Sequence, residues 1–270
     1  MKTKFLLSLL LLYNVAVGSA QTIESTSYMV QGNTISYQVI YPENYDSNKE
    51  YPLLLFLHGA GERGEDNKAQ LTHGKSFLID NFHSSYPAIV IVPQCPSSSY
   101  WSSVERATHN DQITFDFNVV EEPTTAMSTL MHLVQHWLNS GYIDRSRVYV
   151  GGLSMGGMGT YELVWRMPGV FAAAFPICGG ANIDKLLKNN KHTAFWIFHG
   201  SDDNIVPAEF SREIFKALKK KGTDVKYTEY PGVNHGSWNN AFKQTGLASW
   251  LFQHINKLYL IKTPSDKVCK

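Results

Sequence analysis

The sequence predicts a doubly wound α/β fold, a mostly parallel sheet flanked by helices, and three features carry that prediction. Short runs rich in β-branched and aromatic residues alternate with longer stretches of helical period. Several of the runs are apolar at consecutive positions, which calls for a sheet covered on both faces. No repeat, low-complexity tract or linker divides residues 21–270, and that length suits one core large enough to need no staples.

The N-terminal segment reads as an address. Lys2 and Lys4 form a short basic region, 5–13 is a compact apolar run, and Gly18-Ser19-Ala20 supplies small residues for cleavage. We expect residues 1–20 to be a secretory signal peptide and the mature chain, 21–270, to be a single domain that is secreted or periplasmic. The apolar run is too short to span a bilayer, so no membrane association is expected beyond the signal peptide. Strands are predicted over 35–41, 53–58, 89–93, 148–151, 172–177, 194–199 and 225–229. Pro123 opens a helix whose Met127, Leu130, Met131, Val134, Trp137 and Leu138 share one face, and Gly141 stops it. Further helices are predicted over 155–167, 208–220 and 239–257. Strands separated by helices require right-handed crossovers between parallel neighbours.

Composition narrows the partners. The 24 basic and 23 acidic residues nearly cancel, so no field attracts nucleic acid or acidic membranes, and a small or neutral molecule is the expected partner. Cys95, Cys178 and Cys269 allow at most one disulfide, and Cys178, inside an apolar run, reads as a buried free thiol. No pair has metal-ligand spacing, so no metal or other cofactor is expected.

The chemistry starts at Gly152-Leu153-Ser154-Met155-Gly156. A Gly-x-Ser-x-Gly pattern recurs by chance in about one such chain in ten, but here a strand precedes it and a helix follows. That context is the one in which a serine stands exposed on a sharp strand-to-helix turn. A serine hydroxyl is a weak nucleophile at neutral pH and needs a base, which in turn needs an orienting acid. In folds with this turn the acid and then the histidine follow the serine along the chain. Of His192, His199, His235 and His254, the first two precede the candidate acids and the last lies within a predicted helix. His235, in a glycine-flanked loop between a strand and the final helix, is the base. The acid is Asp202 or Asp203, adjacent at the end of the strand 194–199, and spacing does not separate them. Oxyanion donors are expected from the Met155 amide and from Ala60 or Gly61, in the small-residue loop His58-Gly59-Ala60-Gly61. His58 itself is expected to be structural.

These stretches, together with 89–96, Trp101, 171–180 and His199 to Pro207, resemble the esterase-like α/β-hydrolases, among them feruloyl and acetylxylan esterases and predicted peptidases. The resemblance covers most of the mature chain and implies an α/β-hydrolase fold. It carries over Ser154, Asp203 and His235, because the pattern His-Gly-x-x-Asp falls on His199, Gly200 and Asp203, although Ile205 is an extra residue before Val206-Pro207. It implies no metal or organic cofactor. The implied activity is two-step acyl transfer through an acyl-enzyme, on feruloyl or acetyl esters of plant polysaccharide. A general carboxylesterase, a serine peptidase of the same fold and a non-catalytic binding module are the rivals. Tyr100 and Trp101, in a Ser-rich loop, and Trp238, close behind His235, are expected to offer aromatic faces to the substrate.

Overall fold

The computed structural model describes residues 23–109, 112–118, 121–190 and 192–259; the segment 1–20 expected to be a signal peptide and Cys269 lie outside them. Ten strands are present in these residues: β1 (Ile23–Val30), β2 (Asn33–Ile40), β3 (Tyr51–Leu57), β4 (Ile89–Gln94), β5 (Glu105–His109), β6 (Gln112–Asp116), β7 (Ile143–Leu153), β8 (Ala173–Ile177), β9 (Ala194–Gly200) and β10 (Val225–Tyr230). Eight form one sheet in the order β1-β2-β4-β3-β7-β8-β9-β10. From β4 to β10 neighbours run parallel, while β1 and β2 pair antiparallel at one edge. The doubly wound, mostly parallel sheet is therefore as expected.

The consecutive apolar positions divide between two cores. Leu53, Leu55 and Leu57 of β3 face one cluster, and Leu54 and Phe56 face the other. β4 splits in the same way, Ile89 and Ile91 against Val90 and Val92. Burying such side chains stabilises by about 2 kcal/mol each, so both faces need a cover. On the first face the cover is α2 (Thr125–Leu138), α3 (Met155–Arg166) and α5 (Glu209–Lys220); on the second it is α1 (Lys75–Ile79), α6 (Trp238–Ala241) and α7 (Leu247–Gln253), with the short α4 (Ile183–Asn189) beside α3. α2 starts where Thr124 caps it, its hydroxyl oxygen accepting the Met127 N–H at 3.0 Å. No helix among the described residues is long and apolar enough to cross a membrane.

Two departures from the expected elements matter for the site. The stretch predicted as one helix over 239–257 is broken into α6 and α7, because Gly246 adopts φ 87° between them, and His254 falls just beyond α7. β5 and β6 are additional to the predicted strands. They pair antiparallel as a separate two-stranded hairpin, with Arg106 opposite Phe115 and Thr108 opposite Ile113.

Candidate active site

At the end of β7, in the middle of the sheet, the chain reverses through Ser154 with φ 53° and ψ −117°. This backbone region costs a residue with a side chain roughly 1–3 kcal/mol and is held by its surroundings. Here the Ser154 N–H donates to Ile177 O at 2.8 Å. The flanking glycines are steric requirements. A Cβ on Gly156 would lie 2.0 Å from Leu57 O, and one on Gly152 would lie 2.6 Å from both Leu57 O and Gly156 O. Only with both positions bare does α3 start directly against the end of β3.

Three loops at the C-terminal ends of β7, β9 and β10 bring their side chains together, the edge where open parallel sheets place their ligand sites. Ser154 Oγ donates to His235 Nε2 at 2.9 Å, and His235 Nδ1–H donates to Asp203 Oδ2 at 2.7 Å. Asp202 points elsewhere and accepts the Ser201 hydroxyl at 2.6 Å. The Asp203 side chain is inaccessible to solvent, and its oxygens are crowded with donors. Oδ1 accepts the N–H groups of Ile205 at 3.0 Å and Val206 at 2.9 Å, and His199 Nε2 stands 3.2 Å from Oδ2. Burial alone would raise this carboxyl, but the hydrogen bonds from His199, His235 and Val206 outweigh it and hold the carboxyl well below the usual range.

His199 is the residue that sequence reasoning passes over. It is completely buried, its Nδ1 accepts the Ser211 hydroxyl at 2.7 Å, and its Nε2–H is shared between Val206 O at 2.9 Å and Asp203. It holds the carboxylate from the side opposite His235. Gly200, next to it, lets the loop carrying His235 close in, since a Cβ there would meet Val233 O at 2.2 Å.

On the other side of Ser154, Ala60 to Glu62 form a single 3₁₀ turn after β3 whose first N–H groups have no partner within the turn. The Met155 N–H is likewise the first of α3. Ala60 and Gly61 line the cleft beside Ser154. This loop is pinned twice. The Arg63 guanidinium donates to Ala60 O at 3.0 Å and to Ser99 O at 3.1 Å. Buried His58 donates from Nδ1 to Gly59 O at 2.6 Å and accepts the Cys95 N–H on Nε2 at 2.9 Å. Its burial pushes the imidazole down to about 4, so it is neutral and structural.

The cleft, about 560 Å³, is walled by Trp238, His73, Tyr100 and the hairpin of β5 and β6. Trp238 lines it, edge-on to the His235 ring at 5.4 Å. Trp101 does not. Ser102, Ser103 and the Ser103 N–H all bond the buried Glu162 carboxylate of α3, and the loop they hold turns Trp101 into the core, 0% exposed, against His58. Its neighbour Tyr100 faces the cleft instead. Cys178 is a buried free thiol, raised by burial, as is Cys95. Among the described residues, the one group of three side chains placed to ligate a metal is Cys178, Asp203 and His235, with ligand atoms within 4.8 Å of one another; Asp203 and His235 are already engaged with each other.

The pattern of the family described as phospholipase/carboxylesterase matches residues 43–249. A crystal structure of a thermostable esterase is 33% identical, with a TM-score of 0.76, over 87% of this chain and 63% of that one. Lysophospholipase-like protein 1 of Mus musculus is 25% identical over 211 residues, 75% of this chain and 86% of that protein. A protein of Arthroderma benhamiae described as an uncharacterized secreted protein is 24% identical over 247 residues, 79% of this chain but 25% of its own length. The chain thus spans less than two thirds of two of these relatives. With the sheet order described above and a family match through most of its length, the chain belongs to the phospholipase/carboxylesterase family and has the α/β-hydrolase fold.

Proposed function

We propose that this protein is an exported serine carboxylic-ester hydrolase that works through an acyl-enzyme on Ser154, on feruloyl or acetyl esters of plant polysaccharide. The observation that carries the reading is the unbroken line from Ser154 Oγ through His235 to the buried Asp203 carboxylate. In this reading His235 Nε2 takes the Ser154 proton as Oγ attacks the ester carbonyl, and Asp203 holds the imidazolium that forms. The amides of Met155 and of Ala60 or Gly61 receive the oxyanion. The alcohol leaves with the proton from His235, and water then repeats the sequence on the acyl group. A cleft of about 560 Å³ with Trp238 and Tyr100 on its walls supports the reading of a phenolic acyl group. The apolar run and small residues within 1–20 support export.

The test is a comparison of p-nitrophenyl acetate, methyl ferulate and a peptide anilide, with the parent and Ser154→Ala, alongside labelling by a fluorophosphonate. Hydrolysis of the esters but not the anilide, and labelling lost in Ser154→Ala, is the expected result. Labelling that persists at another serine sinks the assignment.

A further inference from the structure

The hairpin of β5 and β6 presents one face to the cleft. Side chains alternate along a strand, so Arg106 and Thr108 of β5 share a face, and the register sets Phe115 and Ile113 of β6 opposite them. These four residues, and not the Glu105, Ala107, Thr114 and Asp116 of the other face, line the cleft. Within this wall Arg106 is the one charge. Its guanidinium lies over the Tyr100 ring, 4.0 Å from the centroid, and Tyr100 is itself buried. A guanidinium stacked in this way has one face covered while its N–H donors project outward in its plane.

The other arginines nearby are spent. Arg63 donates to the carbonyls of Ala60, Ser97 and Ser99, and Arg166 is bound to Glu162 and Glu121 O. Among the described residues no carboxylate comes within ion-pair distance of Arg106. Glu62, the one carboxylate among the described residues lining the cleft, stands beside His73 at 3.6 Å. The cleft therefore offers a cation stacked on Tyr100, without a carboxylate partner among the described residues, next to the apolar Ile113 and Phe115.

We propose that Arg106, stacked on Tyr100, forms an anion subsite that selects esters carrying an oxyanion, a carboxylate or a phosphate, on the part of the substrate under the hairpin. This rests on the ester-hydrolase reading above and adds a substrate class to it. A stacked fork meets a carboxylate or phosphate with two parallel N–H···O bonds, which a lysine cannot reproduce.

Two matched pairs separate the sources: methyl caffeate against caffeoyl quinate for a carboxylate, and butyryl glycerol against butyryl glycerol 3-phosphate for a phosphate. The parent is expected to prefer the anionic member of one pair. Arg106→Gln should remove about tenfold of kcat/KM on that ester, mainly through KM, and leave its neutral partner within about twofold. Arg106→Lys should keep part of the preference, and added salt should weaken it in the parent. Calorimetric binding of both anionic esters to Ser154→Ala, with and without Arg106→Gln, reads the subsite without turnover. If the parent prefers neither anionic ester, or if Arg106→Gln lowers both members of a pair equally and leaves binding unchanged, the subsite is refuted. If none of the four esters is hydrolysed while binding still depends on Arg106, the ester-hydrolase reading fails and the subsite stands.

Discussion

Replacing Asp203 by Asn changes one oxygen into an NH₂ group, and the four donors around that carboxylate determine the damage. Oδ1 is held by the N–H groups of Ile205 and Val206, so the amide oxygen takes that position and the NH₂ faces His199 and His235. Both imidazoles present N–H groups there, and two donors now oppose a third. The His235 ring answers by moving its proton to Nε2, which places an N–H against Ser154 Oγ where an acceptor is needed. In the catalytic reading the base is then lost, and kcat should fall by about 10⁴. His199 must either shift its tautomer and give up Val206 O or leave the new NH₂ unpaired, so stability should fall by roughly 2–4 kcal/mol. Asp202→Asn is the control, since Asp202 bonds only its neighbour's hydroxyl among the described side chains and should leave kcat within about twofold. Turnover of p-nitrophenyl acetate and urea unfolding of both variants read the two effects. A larger loss of turnover in Asp202→Asn than in Asp203→Asn, or less than about a tenfold loss in Asp203→Asn, refutes the reasoning.

Two further substitutions test the packing around Ser154. Trp101→Ala empties a fully buried indole site, so it should cost about 3–5 kcal/mol, lower Tm by about 10 °C and reduce activity on methyl ferulate and p-nitrophenyl acetate alike; loss confined to the ferulate at unchanged Tm would return Trp101 to the cleft wall. Gly156→Ala, whose Cβ would fall 2.0 Å from Leu57 O, should destabilise by more than about 3 kcal/mol, whereas Gly61→Ala meets nothing within 4 Å and should stay within about 0.5 kcal/mol by the same unfolding measurement.

Legibility in the sequence depends on how local the physics is. The turn at Ser154 is legible because its constraints, two bare positions between a strand and a helix, lie within five consecutive residues. The choice of Asp203 over Asp202 is not legible from spacing and comes only through the resemblance, because it depends on which carboxylate the turn ending at Val206 points inward. His199 precedes the acid and so is no candidate for the base, and its contact with Asp203 appears only once β9 ends beside the Val206 turn. Trp101 leaves its expected place on the cleft wall while Tyr100 keeps its own, because Glu162, some sixty residues away in the chain, decides the direction of their loop. The hairpin escapes a reading by pattern since its strands are short and polar, and they acquire an apolar partner only in the cleft that other loops build. The broken final helix shows the opposite failure, in which helical period continues across Gly246 although its positive φ ends the element.

The clip made by His58 joins the loop carrying Ala60 and Gly61 to the end of β4, and its hydrogen bonds allow only one protonation state. Nδ1–H must donate to Gly59 O and bare Nε2 must accept the Cys95 N–H, so a second proton on Nε2 would set donor against donor in a buried site. In the unfolded chain this imidazole has its ordinary value of 6.5, and in the folded protein it is near 4. Between those two pH values the unfolded state binds the proton and the native state does not, so stability is complete above about pH 6.5 and is lost as pH falls towards 4. The span corresponds to about 3 kcal/mol. Asp203, whose carboxyl is depressed, has the same sign but a lower window, because its contribution is lost only as pH falls below the ordinary carboxylate range. His58→Asn should be less stable at pH 7 by about 1–2 kcal/mol, having traded a filled ring for a smaller amide, yet lose less on acidification to pH 4. Urea midpoints measured at pH 7, 5.5 and 4 should therefore converge for the two proteins. Midpoints that fall in parallel would show that His58 takes up its proton in the fold without penalty, and the rigid clip under the candidate oxyanion loop would have to be given up.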